Sequence, residues 1–152
     1  NGVSIINEDY DLSNIGVLIE NPGFFPNLSG YKNLEILYSI NHKKDANVIN
    51  DILEKVGLKA DKDKLYKKYS LGMKQRLGIA QAFMEDQQVI LLDEPTNALD
   101  KQAILELRTM IMEEKQKGKL ILIASHSAED LQLLCDTVYE MESGNLKGVI
   151  TL

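Results

Sequence analysis

The stretch that decides the fold is Val89–Thr96, which reads VILLDEPT. Its apolar run has the length and composition of a strand buried on both faces of a parallel sheet. Two carboxylates, Asp93 and Glu94, follow directly, and Pro95 comes next. Because burying an unpaired charge is costly, this pair is hard to explain by packing. It marks the open end of a buried strand, where chemistry can take place.

Two further apolar runs, Ile15–Ile19 and Leu120–Ala124, predict two more buried parallel strands. The first is followed by Glu20 and the last by Ser125 and His126. Open parallel sheets bind ligands at the carboxyl ends of their strands, so these side chains and the two carboxylates are expected to converge at one edge. The order of strands and helices predicts an α/β domain with a helical insertion.

The Asp93–Glu94 pair has two interpretations. A hard cation such as Mg²⁺, held through one carboxylate and through phosphate oxygens, would compensate the charge. The neighbouring carboxylate could then orient or deprotonate an attacking water. The alternative is a solvated turn into Pro95.

A second informative stretch, Ser70–Arg76, reads SLGMKQR and predicts a helix with Ser70 as its N-cap. Gly72 in the first turn costs up to about 1 kcal/mol relative to Ala, which suggests that another group approaches the backbone closely. Lys74 and Arg76 lie near the positive end of the helix dipole, where cations are mildly unfavourable. A phosphate at this helix N-terminus would account for both features, whereas ordinary capping is the simpler interpretation of Ser70 alone.

The region between the first two strands predicts an insertion at about 27–68. Ser29 is placed to cap one helix, and an apolar stripe along Val48–Val56 predicts a second one that stops at Gly57. The charged stretch Lys59–Lys68 predicts a solvated connector.

Turn signals predict a β-hairpin near each end of the chain. One is centred on the turn 143–145, and the other has its turn at Asn1-Gly2, which leads into an edge strand at Val3–Ile6. An amphipathic helix that stops at Gly118 is predicted between the second and third strands.

Length, composition and charge exclude several classes of protein for this chain. The 152 residues allow one domain, and 44% hydrophobic with 26% charged residues is ordinary for a globular protein. A formal charge of −6 argues against nonspecific electrostatic binding of nucleic acid. The apolar runs are far shorter than the roughly 20 residues of a membrane span, and the single Cys135 fits a reducing compartment. The chain begins at Asn1 without an initiator Met, so we expect it to be part of a longer protein.

Four motifs in this order resemble the ATP-binding-cassette (ABC) ATPases. They correspond to the signature helix at 70–77, the Walker B strand at 89–96, the D-loop at 97–100 and the switch histidine in Ser125-His126. The resemblance covers nearly the whole chain, and a chance match of all four is very improbable. It implies part of a P-loop NTPase (RecA-like) parallel sheet, with the helical insertion as the subdomain that docks on membrane subunits.

The resemblance also implies individual roles at the sheet edge. Asp93 would hold Mg²⁺ through water, and Glu94 would be the general base of ATP hydrolysis. His126 would contact the γ-phosphate and order the attacking water. Glu20 stands where the family usually has the Gln of the Q-loop, near the metal.

Other residues would belong to a head-to-tail dimer around two ATP molecules. Ser70 and Gly72 would touch the γ-phosphate bound to the opposite subunit. Asp100 would lie at the dimer interface, and Gln75 is placed with the nucleotide-binding residues of the signature helix.

The departures from the family pattern are equally specific. No G-x-x-x-x-G-K-[ST] phosphate loop occurs in the chain, which predicts a carboxyl-terminal fragment that hydrolyses no ATP by itself. Leu71 replaces the first Gly of the usual L-S-G-G-Q, and Met73 replaces its Gln. Glu20 together with the S-L-G-M signature resembles the subgroup of bacitracin-resistance and lantibiotic-immunity exporter ATPases.

The implied partners are a second ABC ATPase subunit and a transmembrane permease, with no nucleic acid. The implied location is the cytoplasm, peripheral on the inner face of the cell membrane. Two alternatives stay open: a soluble ABC ATPase acting on ribosomes or DNA, and a catalytically inactive interaction module. The aromatic pair Phe24-Phe25 either receives a permease helix or covers the insertion's own small core.

Overall fold

The computed structural model describes residues 14–20 and 22–152. The predicted hairpin turn at Asn1-Gly2 and the edge strand after it lie outside the described residues. Two short 3₁₀ turns, Lys59–Asp61 and Tyr66–Lys68, lie between the second and third helices. The longer elements, in chain order, are β1 (Ile15–Leu18), α1 (Gly30–Asn41), α2 (Ala46–Lys55), α3 (Leu71–Phe83), β2 (Val89–Asp93), α4 (Lys101–Gln116), β3 (Leu120–Ala124), α5 (Ala128–Leu134), β4 (Thr137–Glu142) and β5 (Asn145–Thr151).

Strands β1, β2 and β3 form a parallel sheet in that order, which confirms the predicted α/β class. Ile15 pairs with Val89, and Val89 pairs with Leu120. The strands therefore run in step, and their carboxyl ends reach the same edge. β1 ends at Leu18, one residue earlier than predicted, whereas β2 extends through Asp93.

The prediction that the first and last strands are buried is wrong for one face of the sheet, where Val17 of β1 is 38% exposed. Leu120 and Leu122 are 66% and 60% exposed, whereas Ile121 and Ile123 pack against the core. Helices α3 and α4 contact the strands, and Ile121 and Ile123 pack against the core that includes Leu107 of α4. The opposite face therefore keeps exposed apolar side chains.

The insertion contains α1 and α2, and α1 begins after its predicted N-cap. The Ser29 side chain accepts a hydrogen bond from Lys32 N, and Asp45 caps α2 in the same way. Gly57 adopts a φ of +70° immediately after α2, as a C′ glycine should. The apolar stripes of these helices and of α3 share one core, whose fully buried members include Leu34, Ile49, Leu53 and Leu77.

The stretch Lys59–Lys68 is less solvated than predicted. Tyr66 packs edge-on against Phe24, with ring centroids 5.2 Å apart, and Tyr66 N donates to Leu28 O. An isolated bridge also joins Leu65 to Ser29. The connector therefore folds back on the start of the insertion because its aromatic side chain needs burial. The boundary at about 27–68 stays a prediction.

The predicted carboxyl-terminal hairpin is confirmed as an antiparallel pair of β4 and β5. Ser143 and Gly144 at its turn both have positive φ. Within the described part of the chain, no helix is long and apolar enough to cross a membrane.

Candidate functional site

The end of β2 presents two carboxylates in different surroundings. Asp93 closes the strand and is exposed, whereas the Glu94 side chain is only 21% exposed. Glu94 has a φ of +43°, which is rare for a residue with a β-carbon, and its N–H donates to Ala124 O at 2.9 Å. Backbone strain of this kind persists only where the surroundings enforce it, and it clusters at functional sites.

The loop after β3 lies beside the loop after β2. His126 Nε2 lies 3.4 Å from Glu94 Oε1, and the imidazole is 97% exposed. The Ser125 hydroxyl accepts a hydrogen bond from Ser127 N at 3.0 Å, which shapes the turn that carries His126. The predicted convergence of the second and third strand ends is therefore found.

Glu20 does not complete this cluster. It lies two residues beyond the end of β1, it is exposed, and the described residues hold no group of three or more His, Cys, Asp or Glu side chains close enough to bind a metal. Glu20 leaves the sheet because the pairing of β1 with β2 stops at Leu18 and Leu92. The exposed oxygens of Asp93 and its neighbour Glu94 fit the hard oxygen ligands that Mg²⁺ prefers.

Gln75 lies beneath the Glu94 loop. Its side chain is buried, and its Nε2 donates to Glu94 O at 3.2 Å and to Pro95 O at 3.1 Å. The bond to Pro95 O satisfies a buried carbonyl that would otherwise be costly to bury, while Glu94 O also accepts from Asn97 N at 3.1 Å. Gln75 therefore positions the loop, and its contact with nucleotide stays a prediction.

At the start of α3, Gly72 and Lys74 suggested a bound phosphate, but both residues have close neighbours within this chain. A β-carbon on Gly72 would lie 2.8 Å from Ala98 O, so the close approach that requires glycine comes from this chain's own D-loop. Lys74 Nζ lies 5.3 Å from the centre of the Tyr66 ring. Gly72 and Lys74 therefore both have close neighbours within this chain, and a phosphate beside them stays a prediction.

Ser70 caps α3 in the ordinary way, because its hydroxyl accepts a hydrogen bond from Met73 N at 3.2 Å. It is also exposed, and the amides of Leu71 and Gly72 have no carbonyl partner available within the helix. The helix start therefore keeps donors that an external anion could use. Nucleotide contacts of Ser70 and Gly72 stay predictions.

Asp100 is the N-cap of α4 and accepts from Ala103 N at 2.9 Å. That bond is the main cause that lowers the pKa of its carboxyl, and the nearby guanidinium of Arg76 also lowers it. Arg76 Nη2 donates to Asp100 Oδ2 at 3.1 Å, while its Nη1 donates to Val56 O at 3.0 Å. Arg76 thus links the D-loop to the end of α2, which also gives this cation a partner other than phosphate.

The sequence motifs do not reveal the part played by Thr96, Ala98 and Arg76. Their partners lie 20 or more residues away along the chain, so no local spacing signals the contacts. Ala98 has a φ of +60°, which lies in the left-handed region. A residue type that favours this region would have indicated the turn, but Ala does not.

Comparison with known proteins agrees with this geometry. The profile described as ABC transporter matches residues 4–97. The chain is 41% identical over 135 residues to the bacitracin transport ATP-binding protein of Enterococcus faecalis, covering 88% of this chain and 44% of that protein. It is 38% identical over 136 residues to a lantibiotic transport ATP-binding protein of Streptococcus pyogenes, covering 90% of this chain and 59% of that protein.

Solved structures show the same fold. An ATP-binding subunit of an ABC transporter superposes with a TM-score of 0.82 at 26% identity, covering 90% of this chain and 58% of that one. A bacterial ABC transporter cassette solved as a dimer gives a TM-score of 0.82 at 19% identity, which supports the fold alone. These neighbours confirm the partial P-loop NTPase sheet.

The predicted resemblance to bacitracin and lantibiotic transport ATPases is confirmed by these relatives, of whose length this chain spans about half. The matched profile covers more than half of the chain and includes both the signature helix and the Asp93–Glu94 strand end. The chain belongs to the ABC transporter family.

Proposed function

We propose that this chain is the signature-helix and Walker B part of the ATP-binding subunit of an ABC transporter, and that the full-length subunit hydrolyses ATP to drive an exporter. The observation that carries the proposal is the Glu94–His126 pair, 3.4 Å apart at the carboxyl edge of the sheet. The names of the relatives from E. faecalis and S. pyogenes support the link to transport of bacitracin or lantibiotics.

Each of the four residues at the sheet edge has its own proposed role in ATP hydrolysis. MgATP, when bound, supplies the γ-phosphoryl group and the metal charge that offsets charge on the phosphate oxygens. When Mg²⁺ is bound, Asp93 would hold it through water, and Glu20, at the Q-loop position, would approach the metal from the end of β1. Glu94 accepts the proton of the attacking water, and His126 orients that water and contacts the γ-phosphate.

The partner side of the site is also a proposal. Ser70 and Gly72 contact the nucleotide held by a second ABC ATPase subunit, and Asp100 lies at that dimer interface. Gln75 acts through the Glu94 loop that it holds. Exposure of Ser70 and Asp100 supports this arrangement, because both must be accessible to a second subunit.

Docking on a permease is supported by the loop before α1. Phe25 is 55% exposed while its neighbour Phe24 is 8% exposed and packs on Tyr66. An exposed aromatic on a rigid loop is a typical anchor for a helix of a partner protein. We propose that the subunit is cytoplasmic, peripheral on the inner face of the membrane through this contact, and binds no nucleic acid.

The test uses the full-length subunit. Glu94→Gln should keep MgATP binding and abolish turnover, leaving a persistent ATP-bound dimer, whereas Asp93→Asn should weaken Mg²⁺-dependent binding. Equal and mild losses of ATPase rate in both variants would contradict the roles. The chain by itself should release no phosphate from MgATP, because the phosphate loop supplies most contacts to the triphosphate.

The runner-up function is a soluble ABC ATPase that acts on ribosomes or DNA. Reconstitution distinguishes the two: stimulation of the ATPase by the permease in proteoliposomes supports a transporter. Stimulation by ribosomes or DNA, with none by the permease, would support the alternative.

A further inference from the structure

Asp130 is a buried charged residue that the proposed mechanism does not use. It lies in the first turn of α5, four residues after His126, and is 2% exposed. A carboxylate in such a place must be compensated by donors, since an unpaired buried charge is strongly destabilising.

The donors of Asp130 come from two other elements. Oδ2 accepts from Thr96 Oγ1 at 3.0 Å, and Oδ1 accepts from Arg108 Nε at 2.8 Å. Arg108 also pairs with Glu129, which fixes the guanidinium from a second side. The carboxylate therefore joins the loop after β2, the middle of α4 and the start of α5.

The hydrogen bond between Thr96 and Asp130 matters because both residues lie close in sequence to the Glu94–His126 pair. Thr96 is two residues after Glu94, and Asp130 is four residues after His126. A hydrogen bond between Thr96 and Asp130 therefore closes a short bridge between the two loops whose side chains meet at the sheet edge. Glu94 has a left-handed backbone, which needs such restraint to persist.

We propose that Asp130 is a positioning residue that, through Thr96, sets the separation of Glu94 and His126 during hydrolysis. The inference rests on the proposed function of that pair. Arg108 orients the Asp130 carboxylate so that one oxygen is left to accept the Thr96 hydroxyl. Loss of the bridge frees the Glu94 loop and lowers the rate of the chemical step while leaving the binding of nucleotide intact.

Thr96→Val in the full-length subunit tests the bridge, because it removes the hydroxyl and keeps the side-chain shape and the Asp130–Arg108 pair. We expect kcat to fall roughly tenfold to a hundredfold, as for a small misplacement of catalytic groups, with KM for ATP changed by less than about twofold. Thr96→Ser restores the hydroxyl and should recover most of the lost kcat. Thr109→Val is the matched control, because the Thr109 hydroxyl donates to Leu105 O of its own helix on the exposed face of α4.

Asp130→Asn gives the second readout. The uncharged amide weakens the hold on Arg108 and can alter folding, so its effect on kcat is compared with that of Thr96→Val at a temperature where circular dichroism shows both folded. A kcat of Thr96→Val within twofold of wild type overturns the proposal. So does a Thr96→Ser variant as slow as Thr96→Val, because the hydroxyl would then have no role. If Glu94→Gln retains turnover in the same preparation, the proposed function fails instead.

Discussion

The side-chain amide of Gln75 donates to the backbone carbonyl of Glu94 at 3.2 Å, so the signature helix holds the loop that carries the proposed general base. The same amide nitrogen reaches Pro95 O at 3.1 Å. Two motifs that are 19 residues apart in sequence thus form one structural unit. A substitution in the signature helix is therefore expected to alter the position of Glu94 through this hydrogen bond.

Gln75→Met tests that unit, because methionine has a similar length and no donor. Pro95 O would lose its donor in a buried place, which costs about 1–3 kcal/mol when nothing replaces it, whereas Glu94 O keeps the N–H of Asn97 at 3.1 Å. We expect urea unfolding of the chain to shift to a lower midpoint, and the ATPase rate of the full-length subunit to fall with it.

Gln102→Met is the control for Gln75→Met. Gln102 is an exposed residue of α4 whose amide donates to Glu106 on the surface. Its substitution should change the free energy of unfolding by less than about 0.5 kcal/mol, so its midpoint should stay close to that of wild type. Equal midpoints for the two variants would contradict the role of Gln75.

Gly72→Ala tests the contact between α3 and the D-loop. The added β-carbon would lie 2.8 Å from Ala98 O, a backbone atom that cannot move aside cheaply. The gain in helix propensity is about 1 kcal/mol, and overpacking costs about 1–3 kcal/mol, so we expect net destabilisation in thermal unfolding of the chain. Gly23→Ala is the matched control, because the same atom there meets open space. A Tm at or above that of wild type for Gly72→Ala would refute the contact.

The neighbours Phe24 and Phe25 give a paired prediction. Phe24→Ala removes a buried ring and should destabilise the chain by about 3–5 kcal/mol. Phe25→Ala removes an exposed ring, and its backbone stays fixed because Asn33 bonds both Phe25 N and Phe25 O. We therefore expect unchanged stability, with loss of permease-stimulated ATPase in the full-length subunit. Normal stimulation of Phe25→Ala would remove this residue from the proposed docking surface.

Sequence patterns predicted the parts of the fold that depend on local signals. Ser29 and Ser70 cap helices, Gly57 ends one, and the apolar run before Asp93 is the central strand of the sheet. Each of these depends on residues within a turn or a strand length, where composition and spacing carry the information.

Burial and site contacts were harder to predict because they depend on distant residues. The pattern of Leu120–Ala124 is the same whether one face or both faces are covered, so the exposure of Leu122 could not be read from it. The need for glycine at position 72 was predicted, but its close neighbour within the chain, Ala98 O, lies 26 positions away and could not be predicted from local spacing. The bond between Thr96 and Asp130 spans 34 positions and has no local pattern.

Alkaline unfolding should report on Tyr69, which packs in the core and donates its hydroxyl to Asp61 O at 3.0 Å. Burial, with a smaller effect of the Asp61 charge, raises the pKa of Tyr69 to about 12, whereas an unfolded tyrosine has a pKa of about 10. Below pH 10 both states keep the proton and the stabilisation is fully present. Between pH 10 and about 12 the unfolded state loses its proton first, so the free energy of unfolding falls as the pH rises.

Tyr69→Phe removes this titration. At pH 8 the variant should be less stable than wild type by about 1 kcal/mol, because Asp61 O loses its donor. From pH 9.5 to 11.5 its urea midpoint should fall less steeply than that of wild type. Burial also raises the pKa of Tyr66, so the slope should be reduced rather than abolished. Tyr139→Phe, at an exposed position of β4, controls for general effects of removing a phenol and should keep the wild-type slope. Parallel slopes for Tyr69→Phe and wild type would show that the Tyr69 hydroxyl titrates alike in both states, and the buried bond to Asp61 would then have no part in alkaline unfolding.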